Sequence, residues 1–342
     1  MLKKYYSKFG GILIGGLYGL LMRFLFGADL KGDFADLFSI TFIWVVPIIV
    51  GLTPLIFSTK ENLEKIPYRI FKPILAVLTF FILCYWTGQE DIICIIIISI
   101  PFLIIAGISG IILGGYILRN RRKNGNLYSI FLLPLLTGII EPNFPTPTGN
   151  FETSSSIIIK ADKSEIWNNI VRVDEIKESE YKNGFFNYAG IPRPLFAELD
   201  KDTLGGTRIG HFDGGLKFKE NIIEWNKNNS VTFDIKIIPS TTIRTIFERH
   251  MLNGKHFKFM TATYTLKEIE NGNTELLLTT KYQLDTKINF YGEFWGQHLL
   301  TDFQDRLINV IKNRCENNLP LTRYTQDGCI VVWETVFQPL NL

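Results

Sequence analysis

Four stretches near the start of this chain, Phe9–Phe26, Leu37–Phe57, Ile70–Gly88 and Ile92–Leu118, are apolar over nearly their whole length. Each approaches the roughly 17–25 residues that a helix needs to cross about 30 Å of hydrocarbon at 1.5 Å per residue. Such runs leave the chain little choice of solvent. At Glu141-Pro142 the texture changes sharply, and the remaining residues are written for water. The overall figures, 46% apolar residues and a net charge of +3, average two unlike parts and say little about either. The expectation is a membrane bundle over residues 1–141, a linker at 142–152, one domain at 153–317 and a tail at 318–342.

Pro47, Pro54, Pro73 and Pro101 fall inside the apolar runs and are compatible with bilayer helices, where freed backbone groups find other partners. No small-residue cleavage site comes after the first run, so it reads as an anchor and not as a removable leader. The fifth run, Leu127–Ile140, is short and sets the topology: it either crosses or lies at the interface, giving four to five spans. Extended over Asn124–Phe144 it contains no Lys or Arg, which favours a crossing. Eleven basic residues (Lys3, Lys4, Lys8, Lys60, Lys65, Arg69, Lys72, Arg119, Arg121, Arg122 and Lys123) flank one side of the runs, against Lys31 on the other. The excess of base predicts a cytoplasmic N-terminus. Five crossings then put the water-soluble domain outside the cytoplasm, the preferred reading, and four put it inside. Arg23, near the end of the first run, is an intramembrane charge with no acidic partner in the spans, and from that depth it can snorkel.

Pro142–Phe151 has the Pro/Gly/Asn texture of a linker. Ser156–Ala161 reads as a strand, and Asp162 with Glu165 as a capping box that opens a helix with Ile166, Trp167, Ile170 and Val171 on one face. Alternation in Ser230–Ile238 sets Val231, Phe233, Ile235 and Ile237 on one side. Asn271-Gly272 predicts a hairpin between His256–Glu268 and Thr274–Asp285, and Gly205-Gly206 and Gly214-Gly215 mark further turns or bulges. Asn289–Cys315 is a long helical pattern whose stripe of Tyr291, Trp295, Leu299, Phe303, Leu307 and Val310 demands burial. The economical cover is the concave face of the preceding antiparallel sheet.

The phrases SIIIKADKSEIWNNI at 156–170, GTRIGHFDGGLKFKENIIEW at 206–225, and NGNTELLLTTKYQL running on to Asn289–Cys315 resemble the START-like, or SRPBCC, superfamily of polyketide cyclases, aromatase-like proteins and lipid carriers. The resemblance covers about residues 153–317. It implies an α+β helix-grip: a long C-terminal helix across a curved sheet, with an apolar cavity between them. It carries no catalytic signature.

This layout makes Glu220, Tyr264, Tyr282, Trp295, His298, Leu299, Asp302, Phe303 and Arg306 the candidate ligand-binding residues. Glu220 shares a strand face with Phe218 and Ile222, so it points either into the interior or, if a bulge turns the strand, to water. His298, Asp302 and Arg306 recur at four-residue spacing along the border of the helical stripe, as polar handles at a cavity mouth or as an ordinary surface pair. The four histidines, His211, His250, His256 and His298, show no metal-ligand spacing, and no metal or cofactor is expected. Nucleophile elbows and phosphate-cradling loops are missing, and no basic aromatic stripe favours nucleic acid. Cys315 and Cys329 can pair in an oxidising compartment or remain thiols. The apolar tail Leu321–Leu342 either adds a strand or touches the membrane. The expected function is binding of a hydrophobic small molecule or lipid beside the bilayer. A cyclase or dehydratase using Glu220 or a histidine is the rival, and a protein-interaction or sensing module is a third reading.

Overall fold

The computed structural model describes residues 2–27, 36–120, 129–238 and 256–317. Lys31, Arg121, Arg122, Lys123, His250, Cys329 and the expected tail lie outside them. Three described segments are long and apolar enough to cross a membrane: Phe9–Phe26 within α1 (Leu2–Phe26), then α4 (Ile66–Trp86) and α5 (Ile92–Arg119). These support membrane association. The expected second span is helical only over Thr41–Ile56, a π-helical turn (Thr41–Val45) leading into α2 (Val46–Ile56). The expected fifth is the short helix Ser129–Asn143, which contains α6 (Leu133–Ile140). Both fall in the range of 10–17 residues, so length alone does not reach four or five spans. One physical cause is visible at Glu141, whose carboxylate accepts hydrogen bonds from the backbone N–H of Ile40 (2.7 Å) and Thr41 (2.8 Å) and starts the helix there.

Small residues bring the bundle helices together. A Cβ at Gly15 of α1 would lie 2.8 Å from the Val50 carbonyl oxygen, so only glycine allows this approach to α2. Met22, Phe42, Val46, Phe80 and Phe102 fill the bundle beside it. A short turn, α3 (Lys60–Leu63), connects α2 to α4.

Beyond the bundle, seven strands form one antiparallel sheet in the order β1-β7-β6-β5-β4-β3-β2. They are β1 (Thr148–Ile159), β2 (Pro194–Leu199), β3 (Thr207–Phe212), β4 (Lys217–Asn226), β5 (Ser230–Ile238), β6 (Phe257–Glu268) and β7 (Thr274–Asp285). The β6–β7 hairpin closes through Gly272 at φ 70°, in the left-handed region that glycine adopts at little cost. β1 starts inside the segment read as a linker, where Thr148 already pairs with Asp285. α7 (Lys163–Val171) starts at Asp162 as expected, but its cap is made without a side-chain hydrogen bond. The short helix α8 (Phe185–Tyr188) precedes β2.

The long helix α9 (Asn289–Glu316) lies across the β1 and β7 side of the sheet. Leu307 and Val310 of the predicted stripe are buried, but in the first half of the helix the buried side is shifted by one residue, to Gly296, Leu300 and Gln304, with Ile308 and Ile311 continuing it. Gly296 explains the close seat, since a Cβ there would lie 2.8 Å from Tyr282 Oη. Gln304 donates from Nε2 to the Thr153 carbonyl (3.1 Å) and Thr280 Oγ1 (2.8 Å), pinning the helix to both strands.

The two regions are in contact. Tyr291 Oη donates to the Ile97 carbonyl of α5 at 2.6 Å, and Lys287 Nζ donates to the Glu141 carbonyl at 2.7 Å. Ile93, Cys94 and Ala189 form a shared apolar cluster with Phe186, Ile191 and Leu299 against it. His256 Nε2 lies 3.0 Å from Asp36 Oδ2, and its Nδ1 lies 2.9 Å from the Asp285 carbonyl oxygen. Among the described residues the buried Cys315 thiol has no disulfide partner, and Asn169 Nδ2 lies 3.6 Å from it.

Candidate ligand-binding site

A cavity of about 260 Å³ lies between α9 and the sheet, just below the ~300–1,000 Å³ typical of ligand pockets. Apolar walls come from Phe212 of β3, Phe218 of β4, Phe259 and Ala262 of β6, and the Trp295, Leu299 and Phe303 side of α9. The setting of α9 explains this: one face meets the sheet, while Tyr291, Trp295, Leu299 and Phe303 of the predicted stripe turn into the space beside it. The end of the cavity nearest the bundle is built by membrane-region residues, Leu37, Phe38, Ile43, Glu90, Cys94, Ile97 and Ile98.

Deeper in, alternation along β3 and β4 brings Arg208 and Glu220 opposite each other across the two strands. Arg208 Nε donates to Glu220 Oε2 and Nη1 donates to the Ile170 carbonyl at 2.6 Å. The guanidinium lies 3.9 Å from the Phe233 ring centroid and 5.6 Å from that of Tyr264. Burial works against the Arg208 charge, but Glu220 and Tyr264 outweigh it and hold the guanidinium firmly protonated. Burial pushes the Tyr264 phenol above its ordinary range, against the pull of Arg208. Nearer the rim, His211 stacks on Phe196 with ring centroids 4.1 Å apart. Burial, helped by Lys217 and opposed by Glu198, lowers its imidazole below the usual value.

Of the predicted residues, Glu220, Tyr264, Trp295, Leu299 and Phe303 line the cavity. Tyr282 lies instead beneath α9, stacked on Phe151 and Phe257 at 5.7 and 5.6 Å. His298 is exposed, its Nδ1 2.7 Å from the Phe294 carbonyl oxygen. Asp302 and Arg306 pair through two hydrogen bonds of 2.6 and 2.9 Å, and Arg306 also reaches the Lys182 carbonyl. These three lie outside the cavity lining. Sequence reasoning passed over Arg208, although it shares a period-two face with Gly210 and Phe212. It also passed over Glu90, which supplies the acidic partner of Arg23: Nε to Oε1 is 2.5 Å, and both side chains are buried. Among the described residues no group of three or more His, Cys, Asp or Glu side chains is placed to hold a metal ion.

No known family model matches the chain, and no curated protein matches it. Solved structures resemble about half of it. A structural-genomics protein from Nitrosospira multiformis aligns at 9% identity over 49% of this chain and 98% of its own, with a TM-score of 0.31. DynU16, a protein of the dynemicin biosynthetic locus, aligns at 12% identity over 49% of this chain and 48% of its own, with a TM-score of 0.31. Truncated norcoclaurine synthase from Thalictrum flavum aligns at 11% identity over 50% of this chain and 94% of its own, with a TM-score of 0.30. No residue role is carried over from any of them. The class rests on the coordinates themselves: an antiparallel sheet gripped by one long C-terminal helix, attached to apolar helices.

Proposed function

We propose that this chain is a membrane-tethered helix-grip protein of START-like type that holds a hydrophobic small molecule or lipid between the sheet and α9. The observation that carries the reading is the lining of the cavity, which is mostly apolar and shared with the bundle at one end. Burial of apolar surface, at about 25 cal/mol per Å², supplies the affinity, and the few polar groups set orientation. Exposed aromatic side chains at Trp86, Phe185, Tyr188, Phe290 and Phe294 support a position close to the lipid headgroups, since such rings concentrate at membrane interfaces. With the domain at the α1 C-terminal end of the bundle and base clustered at the other, the reading puts it outside the cytoplasm.

Full-length protein purified in detergent, extracted with organic solvent and analysed by mass spectrometry, is expected to yield a hydrophobic compound near one per chain. Ala262→Trp, which fills the space, is expected to lose it. Repeated recovery of empty wild-type protein counts decisively against the reading.

A second reading is favoured by the convergence of Arg208, Glu220 and Tyr264 in the cavity: an acid–base enzyme acting on a bound ring. Incubating the recovered compound with wild type and with Tyr264→Phe separates the two. A mass change made only by the wild type indicates catalysis, and an unchanged compound indicates carriage or sensing.

A further inference from the structure

We infer that bundle and grip form one composite site in which Glu90, on the turn between α4 and α5, accepts a hydrogen bond from the head of an amphiphile bearing a hydroxyl or ammonium hydrogen. The inference rests on the apolar-ligand reading above and deepens it by naming the ligand's polar end.

Glu90 lines the cavity at the bundle end and is 5% exposed. Its Oε1 is taken by Arg23 Nε at 2.5 Å, while Arg23 Nη2 donates to the Gln89 carbonyl at 2.7 Å. Its Oε2 is the one carboxylate oxygen among the described residues that is buried and has no hydrogen-bond partner. Among the described residues, the one further group that reaches the carboxylate is the Cys94 thiol, a weak donor that leaves the acceptor capacity of a carboxylate largely unused. Other buried carboxylates here are complete: Glu141 engages both oxygens with backbone N–H groups. A buried charged acceptor left unmade is costly, and folded chains rarely tolerate it without a ligand, ion or water. Burial raises the Glu90 carboxyl and the Arg23 guanidinium on its other oxygen offsets only part of that, so a donor reaching Oε2 would itself favour the charged form of the pair. The open oxygen therefore calls for a donor and disfavours an anionic head.

This geometry orients the ligand. Its head meets Glu90 next to the bilayer region, and its apolar body runs between Phe218 and Phe259 on one side and Leu299 and Phe303 on the other. The other polar pair, Arg208 with Glu220, is already made and asks for nothing.

The test uses full-length protein in lipid nanodiscs and two probes of equal chain length, 1-decanol and decyl methyl ether, with occupancy read by native mass spectrometry. Wild type is expected to prefer the alcohol by about tenfold, the worth of one hydrogen bond to a charged group. Glu90→Leu is expected to bring the ratio close to one while the ether still binds, and Glu90→Gln, which keeps an acceptor, to retain most of the preference. Should Glu90→Leu fail to fold with Arg23 unpaired, Arg23→Met/Glu90→Leu removes both charges and carries the same expectation. Equal binding of the probes by wild type, or a preference that survives loss of the carboxylate, overturns the assignment. If wild type takes up neither probe, the apolar-ligand reading falls as well, a result distinct from lost selectivity.

Discussion

Two arginine–glutamate pairs meet one cavity, Arg208–Glu220 from the sheet and Arg23–Glu90 from the bundle, and they differ in how completely they are made. In the sheet, Arg208 has Glu220, the Ile170 carbonyl and the Phe233 ring around it. At the bundle end, Glu90 has Arg23 on one oxygen and, among the described residues, nothing stronger than the Cys94 thiol for the other. A completed pair holds architecture, because removing either member strands a charge. An incomplete one leaves a valence for something that arrives later.

The largest effect tests the completed pair. Arg208→Met leaves Glu220 buried without its partner and is expected to cost about 3–5 kcal/mol. Arg208→Met/Glu220→Leu should recover most of the loss, as read from denaturation of the detergent-solubilised protein. If the double variant is no better than the single, Arg208 acts through packing on Phe233 and the contrast with Glu90 weakens.

A smaller effect concerns a pair outside the cavity. Arg314 donates to Glu180 at 2.8 and 3.1 Å and to the carbonyls of Asp174 and Glu175, tying the loop before α8 to α9. Burial alone would raise the Glu180 carboxyl, but the Arg314 hydrogen bonds, the Lys177 backbone N–H and the two positive charges together outweigh it and hold it below the usual 4.5. A carboxylate lowered in the folded state stabilises above its unfolded value, and that stability is lost as pH falls through the folded one. Glu180→Gln should therefore cost about 1 kcal/mol at neutral pH, after solvent screening. The gap to wild type should close under acid, below about pH 4. A gap that stays constant across that window would mean the carboxylate's charge is irrelevant.

The smallest effect is at the α9 surface. Asp302→Asn, which weakens the pair with Arg306, is expected to cost about 0.3–0.5 kcal/mol and leave probe binding unchanged. Loss of binding without loss of stability would extend the site to the helix border.

Much of the architecture was readable along the chain. Asn271-Gly272 demands a tight turn whatever surrounds it, and the long apolar runs demand lipid or a buried core. Alternation placed Glu220 on the side of Phe218, and the helical period brought out the stripe from Tyr291 to Phe303. Arg208 escaped because its partner is set by the register of β3 on β4, which no local pattern reveals. Glu90 escaped because a polar residue in a short turn reads as solvated until the sheet domain covers it. Arg23 and Glu90 stand 67 residues apart, and only packing brings them within 2.5 Å.

By itself the sequence determined which parts of the chain belong in apolar surroundings and which segments alternate, turn or coil, because those properties arise from local sterics and the removal of apolar surface from water. The tertiary structure decided how far α9 turns on the sheet, which face it leaves for a cavity, and which helices close that cavity. Those outcomes depend on whether two surfaces distant along the chain fit closely, as Gly296 on Tyr282 shows.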